Sequence, residues 1–300
     1  LRIKAHAVGL NAEDYETDKV SYDHLYSGTE EIDVTGEIID RFYRDKKVDF
    51  RGHESFPNQC VTIRNSANRQ HSALGRISAE GQQLLTLGET PREGYWGITP
   101  RNREQKFALD LLINPGINLV TLVGKAGTGK TLLAIAAGLY SVTETEHYSR
   151  LLVSRPVFPM GRDLGFLPGD VEEKLAHWMQ PIYDNVDLLL RESCHGRDKK
   201  SRGHQELKEM GILEVEPLTY IRGRSIPSQF IIVDEAQNLT PHEVKTIITR
   251  AGEGAKIILT GDPEQIDNPY VDASSNGLTL EVVNADNATA NRDAITTNTF

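Results

Sequence analysis

The sequence has few cysteines and no long hydrophobic run, and each absence excludes a class of protein. Only Cys60 and Cys194 occur in 300 residues, which is too few for a disulfide framework or a cysteine-rich zinc site. No apolar run approaches the length of about 18 residues that a membrane-spanning helix needs, and the amino end has no signal-peptide pattern. We therefore expect a cytoplasmic protein with reduced thiols.

Positive charge is also scarce, because 33 lysines and arginines stand against 43 acidic residues and give a net charge of -10. This balance argues against a protein that coats nucleic acid non-specifically and against one that binds anionic membranes. A local basic channel is still compatible with it. The 38% of hydrophobic residues and 25% of charged residues are typical of a globular protein with enough chain for a large core.

The composition and hydrophobic pattern of the sequence change along the chain, which predicts separate domains. Residues 38–95 contain a helical stretch, EIIDRFYRD, and three strand-like runs separated by polar turns, which indicates a small β-rich domain and a linker. Residues 96–280 alternate apolar β-type runs with helical segments. The tail at 281–300 has little to bury and is predicted to be disordered.

Four apolar runs in the 96–280 segment predict a parallel sheet. NLVTLVG, RLLVSRP, QFIIVDE and KIILTGD show no polar face, as is typical of strands that helices cover on both sides. We therefore predict an α/β fold in which helices lie on both faces of a parallel sheet, preceded by the small β-containing domain.

The segment GKAGTGKT fits the phosphate-binding pattern G-x-x-x-x-G-K-[ST] in full, between a predicted strand and a predicted helix. Its glycines allow the backbone N–H groups to turn toward phosphates, and the helix N-terminus adds positive charge. Lys130 is predicted to reach the β- and γ-phosphates, and the Thr131 hydroxyl to bind Mg²⁺. The sheet is therefore predicted to be that of a RecA-like P-loop NTPase. The predicted nucleotide-binding residues are Gly124, Lys125, Ala126, Gly127, Thr128, Gly129, Lys130 and Thr131.

The run FIIVDEAQN ends in two acids that suit phosphoryl transfer to water. Asp234 is predicted to bind Mg²⁺ opposite the phosphate loop, and Glu235 to activate or orient the attacking water. A kinase needs no water-activating acid, and the guanine-reading N-K-x-D motif is absent from the sequence. The pair therefore favours an ATP hydrolase, although Glu235 as a plain helix-entry acid is the alternative.

Two glutamines are further candidates for contacts with the nucleotide. Gln265 follows the strand-like run IILTGD, at the strand end where ligands bind in open α/β sheets, and is predicted to sense the γ-phosphate. Gln105 begins the helix that leads into the core, and its amide can pair with N6 and N7 of adenine. A solvated glutamine at a helix start is the alternative for Gln105.

The motifs GKAGTGKT, DEAQN and LTGDPEQID together resemble the ATPase domain of the PhoH family, which is related to superfamily 1 helicase cores. The resemblance extends from Gly97 to Asp272. The amino-terminal LRIKAHAVGLNAEDYE looks like the end of the PIN nuclease domain in PIN–PhoH fusions. Residues 1–37 are therefore expected to be a remnant of that domain, without nuclease activity. The resemblance implies the motor of an RNA helicase or RNA-processing machine, which uses ATP and Mg²⁺ and acts on single-stranded RNA.

A single P-loop core has no second core to close against, so we expect a homo-oligomeric ring, such as a hexamer, with nucleotide at subunit interfaces. An arginine from the neighbouring subunit would then stabilise the transition state. Arg224 is the preferred residue. The arginines considered for this role are Arg155, Arg162, Arg222, Arg224 and Arg250.

Two other functions and the role of one basic segment are also considered. A nucleotide-dependent oligomeric switch without unwinding activity is the alternative function. A small-molecule kinase is disfavoured by Glu235 and Gln265. The basic stretch RESCHGRDKKSRGHQELK either contacts RNA phosphates or forms a solvated hairpin.

Overall fold

The chain forms two β-sheets in the computed structural model, a small sheet early in the sequence and a larger sheet after it. The structure describes residues 27–51, 53, 55–157, 171–193, 203–221, 225–273, 275–279 and 295–299. Across these ranges, no helix has both the length and the apolar character that crossing a membrane requires.

The small sheet has five strands, and one helix packs against it. They are β1 (Thr29–Val34), α1 (Gly36–Asp45), β2 (Lys47–Asp49), β3 (Cys60–Asn65), β4 (Ser72–Ile77) and β5 (Gln83–Thr86). The strand order is β1-β3-β4-β5-β2, with β1 parallel to β3 and the other pairs antiparallel. Ile39 and Phe42 of α1 are fully buried and pack with Val61 and Leu84 of the sheet. The predicted helix and the three predicted strand-like runs are confirmed as α1, β3, β4 and β5.

The large sheet has six parallel strands. Its elements in chain order are α2 (Arg103–Ile113), β6 (Leu119–Val123), α3 (Lys130–Thr143), β7 (Leu151–Arg155), α4 (Val171–Ser193), α5 (His204–Glu209), β8 (Leu213–Pro217), α6 (Leu218–Ile221), β9 (Phe230–Val233), a 3₁₀ helix (Ala236–Asn238), α7 (Pro241–Ile248), β10 (Lys256–Gly261) and β11 (Ile295–Thr299). The strand order is β11-β6-β10-β9-β7-β8, which places β10 between β6 and β9.

Helices cover both faces of the large sheet, because its strands are apolar on both sides. On β6, Val120 and Leu122 join the core cluster that includes α2 and α3, whereas Leu119 and Val123 join the cluster that includes α6 and α7. Successive side chains of a strand point to opposite faces, so each face receives alternate residues. The predicted α/β fold, with a parallel sheet between two helical layers and a small β-containing region before it, is confirmed.

An ion pair joins the small sheet to the first helix of the large one. Arg76 of β4 donates from Nε to Asp110 Oδ2 at 2.8 Å, with both side chains largely shielded from water. The other carboxylate oxygen of Asp110 accepts from the backbone N–H of Gly88 at 2.7 Å. Asp110 on α2 therefore fixes both β4 and the segment that follows β5.

Lys256, at the start of β10, is a fully buried lysine. Its Nζ donates to the carbonyl oxygens of Leu111, Asn114 and Ile117 at 2.8, 2.8 and 2.7 Å. The last carbonyls of a helix have no partner within the helix, so Lys256 satisfies the end of α2 and the turn before β6. Burial lowers the pKa of Lys256 to about 7.

One predicted domain boundary is wrong. The segment 1–37 was predicted to belong to an upstream domain, but it contains β1, which pairs with β3. The acidic composition hides this strand, since only Ile32 and Val34 of TEEIDV pack against the small core. Residues 1–26, on which the nuclease resemblance depends, lie outside the described residues.

The predicted disorder of 281–300 is also wrong in part, because β11 pairs with β6 in parallel register from Ile295 to Thr299. Isoleucine and threonine are β-branched and favour strands. Main-chain pairing at a sheet edge needs no apolar face, so the polar composition of the tail did not reveal the strand. The intervening residues 280–294 lie outside the described part of the chain.

Candidate active site at the carboxyl edge of the large sheet

Three loops that are distant in sequence meet at one edge of the large sheet. They are the phosphate loop (Gly124–Thr131) after β6, the acidic turn (Asp234–Asn238) after β9, and the β10 loop (Gly261–Gln265). Because β10 lies between β6 and β9, the β10 loop lies between the other two. The carboxyl ends of parallel strands are the usual ligand-binding edge of such sheets.

The phosphate loop has the backbone conformation that its glycines permit. Gly127 and Gly129 have φ angles of 79° and 91°, in the left-handed region that residues with a Cβ rarely adopt. Lys130 Nζ donates to the carbonyl oxygens of Gly124 and Lys125 at 2.6 and 2.9 Å. The lysine side chain therefore lies back over the loop, where phosphate oxygens can replace the two carbonyls as its partners.

Lys130 is buried, and three carboxylates lie near its ammonium group. Burial lowers the pKa of Lys130, and the carboxylates of Asp262, Glu235 and Asp234 oppose that shift. The ammonium group is thus held among three acids that reach it from the other two loops. A bound phosphate group would need this cation, because the acids alone would repel it.

Asp234 accepts hydrogen bonds from two threonine hydroxyls. Thr131 Oγ1 donates to Asp234 Oδ1 at 2.8 Å, and Thr260 Oγ1 donates to the same oxygen at 2.6 Å. Asp234 is 6% exposed, so these two bonds stabilise a nearly buried carboxylate. The structure therefore brings together the two predicted Mg²⁺ ligands, Thr131 and Asp234.

The donor set around Asp234 fits Mg²⁺ shared with a nucleotide. A carboxylate and a hydroxyl are hard oxygen donors, and Mg²⁺ is usually held by one or two carboxylates plus substrate phosphates. Within the described ranges, no cluster of three or more His, Cys, Asp or Glu residues is suited to hold a metal by itself. Thr131 and Asp234 would therefore hold Mg²⁺ only together with phosphate oxygens.

Glu235 lies beside Asp234 in a strained backbone position. Its φ and ψ angles are 55° and 39°, a left-handed conformation that costs a residue other than glycine on the order of 1 kcal/mol. Both carboxylate oxygens are bonded: Arg155 Nη2 donates to Oε1 at 3.2 Å, and Gln237 Nε2 donates to Oε2 at 2.5 Å. Glu235 is thus a fixed carboxylate on the wall of the site.

Gln237 joins the acidic turn to the β10 loop. It is fully buried, its Nε2 also donates to the main-chain carbonyl of Gln265 at 2.8 Å, and its Oε1 accepts from Asp262 N at 3.1 Å. A Cβ on Gly261 would lie 2.4 Å from Gln237 Oε1, so the close approach requires glycine there. Gln237 and Gln265 are therefore in direct contact through the Gln265 main chain.

Asp262 is a site residue that the sequence analysis did not assign. Its Oδ2 accepts from the backbone N–H of Ala126 in the phosphate loop at 2.9 Å. Gly124 N also donates to Gly261 O at 3.2 Å, so the phosphate loop and the β10 loop are joined twice. The sequence signal was an acid directly after a strand end in LTGDPEQ, which was interpreted only as part of a polar cluster.

The three loops enclose a cavity of about 310 Å³. Three residues that the sequence analysis assigned to the site line this cavity: Asp234, Glu235 and Gln265. Asn185 of α4 also lines it, and no feature of the sequence indicated that residue. The remaining lining residues are Ala126, Gly127, Gly129, Lys130, Thr131, Leu132, Gly261 and Asp262.

Gln105 lies against the phosphate loop. Its Nε2 donates to Thr128 O at 3.3 Å, and its Oε1 accepts from Arg101 N at 2.9 Å. Asn102 caps α2 by accepting from the backbone N–H of Gln105 at 2.8 Å. Gln105 is therefore next to the predicted nucleotide site, with both ends of its amide bonded within the chain.

The remaining predicted residues are the arginines and the basic segment. Arg224 lies outside the described residues, as do residues 194–202 of the basic segment. Arg155, one of the arginines considered for action on a neighbouring subunit, forms its ion pair with Glu235 of the same chain. The parallel pairing of β7 with β9 sets the arginine beside its own acidic turn, and its action on a neighbouring subunit stays a prediction.

The chain is similar to a family of proteins along most of its length. Residues 97–298 match the family model described as PhoH-like protein. Protein PhoH2 of Bacillus subtilis (strain 168) is 48% identical over 288 residues, which are 94% of this chain and 63% of that protein. Protein PhoH2 of Mycolicibacterium smegmatis is 40% identical over 270 residues, 89% of this chain and 58% of that protein. The chain thus spans about three fifths of the length of these curated relatives.

Among solved structures, the Sulfolobus solfataricus SWI2/SNF2 ATPase core in complex with dsDNA overlaps 55% of this chain and 33% of its own. The TM-score is 0.34 and the sequence identity is 17%. A similarity of this extent supports no conclusion about what the chain binds.

Proposed function

Because the chain belongs to the PhoH family, we propose that it binds and hydrolyses ATP with Mg²⁺ and serves as the motor of an RNA helicase or RNA-processing machine. The observation that carries the ATPase part is the convergence of Thr131, Asp234 and Glu235 on the cavity beside the phosphate loop. This convergence unites the groups that hold phosphates, metal and water in P-loop hydrolases.

The phosphate loop is proposed to bind the triphosphate. Backbone N–H groups at the start of α3 and the Lys130 ammonium neutralise the phosphate charge. Thr131 and Asp234 would hold Mg²⁺ together with phosphate oxygens, and the ion would supply charge neutralisation for the transferring group. Gln265, which lines the same cavity, contacts the γ-phosphate end of the nucleotide.

Glu235 is proposed to accept a proton from the water that attacks the γ-phosphate. It lies on the cavity wall next to Asp234, so a water placed in line with the γ-phosphate is within its reach. In the described arrangement both of its oxygens are already bonded. At least one of these bonds must therefore open before Glu235 acts as a base.

Adenine selectivity is proposed to come from Gln105. The residue contacts the phosphate loop at Thr128, so it lies beside the proposed nucleotide site. Its amide has the donor and acceptor that pair with N6 and N7 of adenine. To read the base, the amide would exchange its bond to Arg101 N for one to adenine.

The chain is proposed to act as a homo-oligomeric ring in the cytoplasm. The described residues contain one phosphate loop and one acidic turn, and a neighbouring subunit is proposed to supply a second wall for the nucleotide. Arg224 remains the proposed arginine in trans. The buried free thiol of Cys60 is consistent with a reducing compartment.

The proposal is tested by ATP hydrolysis with and without single-stranded RNA, at several protein concentrations. For a motor, single-stranded RNA is expected to raise the rate of ATP hydrolysis. The rate per subunit is also expected to rise with protein concentration, because the ring assembles. Slow hydrolysis that ignores RNA, combined with ATP-dependent assembly, would indicate the nucleotide-dependent oligomeric switch instead. The bonded state of Glu235 is the observation that favours this second function. If RNA changes neither the hydrolysis rate nor ATP affinity, the motor proposal fails.

A further inference from the structure

Arg155 has a defined partner in the candidate active site, yet the proposed reaction gives it no role. It ends β7, the strand that pairs with β9. Asp234 N donates to Ser154 O at 2.9 Å, so the pairing of the two strands continues to the first residue of the acidic turn. The sheet itself therefore fixes Arg155 beside Glu235, with Nη2 at 3.2 Å from Oε1.

The two groups that hold Glu235 differ in their freedom to move. Gln237 is fully buried and is bonded to both Asp262 and Gln265, so moving its amide would break two further bonds. Arg155 is a long side chain with 23% exposure. Of the two bonds to Glu235, the one from Arg155 is therefore the one that a bound ligand can open.

The direction from which Arg155 approaches indicates what kind of ligand can reach it. The described residues that line the phosphate cavity include Glu235 but not Arg155. A competitor for the guanidinium group can thus arrive without displacing the nucleotide. Guanidinium groups pair with phosphates as readily as with carboxylates, which makes the phosphodiester groups of a nucleic-acid strand a suitable competitor.

We propose that Arg155 is a brake on ATP hydrolysis. It holds Glu235 in an ion pair while no nucleic-acid strand is bound, and releases it when phosphates of a strand bind the guanidinium group. This inference rests on the proposed ATPase function and adds the means by which the strand controls it. Arg155 is a positioning residue, because it acts on the water only through Glu235.

Steady-state ATPase kinetics of the full chain, with and without single-stranded poly(U), test the brake. Arg155→Met is expected to raise kcat without RNA by about fivefold, which corresponds to an ion pair worth about 1 kcal/mol. The KM for ATP is expected to stay unchanged, and the factor by which poly(U) raises kcat to fall by a similar amount. Arg155→Lys keeps the cation beside Glu235 and is expected to retain a low basal kcat.

Arg150→Met is the matched control, because Arg150 precedes the same strand and forms an ion pair with Glu214 at 2.8 Å. Its basal kcat is expected to equal that of the wild type. The brake is overturned if Arg155→Met leaves basal kcat unchanged or lowers it, or if Arg150→Met raises it equally. If Arg155→Met raises the basal kcat but poly(U) stimulates it by the same factor as the wild type, the proposal that a strand releases Glu235 from Arg155 is overturned.

Lys130→Ala separates this inference from the function on which it rests. If the wild type hydrolyses no more ATP than Lys130→Ala does, the proposed ATPase function fails. If hydrolysis depends on Lys130 but does not increase in Arg155→Met, the brake alone fails.

Discussion

Thr131 Oγ1 lies 2.8 Å from Asp234 Oδ1, and this hydrogen bond joins residues 103 positions apart in the chain. Thr131 lies in the first turn of the helix after the phosphate loop, and Asp234 directly follows β9, the strand two places from β6 in the sheet. Thr260, from the strand between them, completes the arrangement with a bond to the same oxygen. The strand order thus builds a site that suits a metal held between a phosphate loop and an acid.

The first prediction concerns Lys130. Lys130→Ala removes the buried cation of the phosphate loop and is expected to lower kcat/KM for ATP by at least about 100-fold, as loss of a preorganised charge at a reacting phosphate does. Phosphate release and binding of a fluorescent ATP analogue measure the loss. Lys245→Ala is the control, because that lysine is exposed on α7 and does not line the cavity. Equal effects of the two variants would contradict a specific role for Lys130.

The second prediction concerns the metal. Thr131→Val keeps the shape of the side chain but removes the hydroxyl, and the Mg²⁺ concentration for half-maximal ATPase activity is expected to rise at least about tenfold. A Mg²⁺ titration at fixed ATP measures it. Thr246→Val removes a hydroxyl that donates to the main-chain carbonyl of His242 on α7, and it is expected to leave the Mg²⁺ dependence unchanged. An unchanged Mg²⁺ dependence in Thr131→Val would exclude the hydroxyl as a ligand.

The third prediction concerns base selectivity. If the Gln105 amide pairs with adenine, Gln105→Ala is expected to reduce the preference for ATP over GTP by about tenfold, within the range for one bidentate contact. The ratio of kcat/KM for the two nucleotides measures it, with the adjacent, exposed Lys106→Ala as control. A fall in both activities with an unchanged ratio would limit Gln105 to holding Thr128 and the phosphate loop.

The fourth prediction concerns stability. Lys256→Met removes the Nζ donor from the carbonyls at the end of α2. It is expected to lower the free energy of unfolding by about 2–3 kcal/mol at pH 9, where the neutral amine of the wild type still donates two N–H groups. Urea unfolding measures it. Lys245→Met, at an exposed position of α7, is the control and is expected to lie within about 0.5 kcal/mol of the wild type.

The Lys256 effect is also expected to depend on pH. Burial lowers the pKa of Lys256 to about 7, below the value of about 10.4 for a lysine in an unfolded chain. Between these values the unfolded chain binds more protons, so the stability of the wild type relative to Lys256→Met rises from about pH 7 to about pH 9. A difference that is flat or falls over this interval would show that the ammonium form is retained in the fold.

The sequence predicted the parts of the site whose chemistry fixes residue types at fixed spacing. The glycines and Lys130 of the phosphate loop come after β6, and Asp234 and Glu235 come directly after β9. Both groups were recognisable because each follows an apolar strand. The contact between Asp262 and Ala126 was not predictable in the same way. It spans 136 positions and exists because β10 lies beside β6, which no local pattern specifies.

The same limit explains Arg155 and β1. Arg155 was considered for action on a neighbouring subunit, and only the pairing of β7 with β9 shows that its own chain supplies Glu235 as partner. β1 was missed because its apolar residues are few and its acids dominate the composition. Local propensity indicated which segments form elements, whereas strand order decided which side chains meet.

The central claim is that Glu235 activates water for ATP hydrolysis beside Asp234. The most direct measurement is phosphate release from Mg²⁺·ATP at saturating ATP by the wild type and Glu235→Gln, with ATP binding measured on the same samples. The account predicts a kcat at least about 100-fold lower in Glu235→Gln, with ATP affinity preserved. Hydrolysis by Glu235→Gln at the wild-type rate would contradict it.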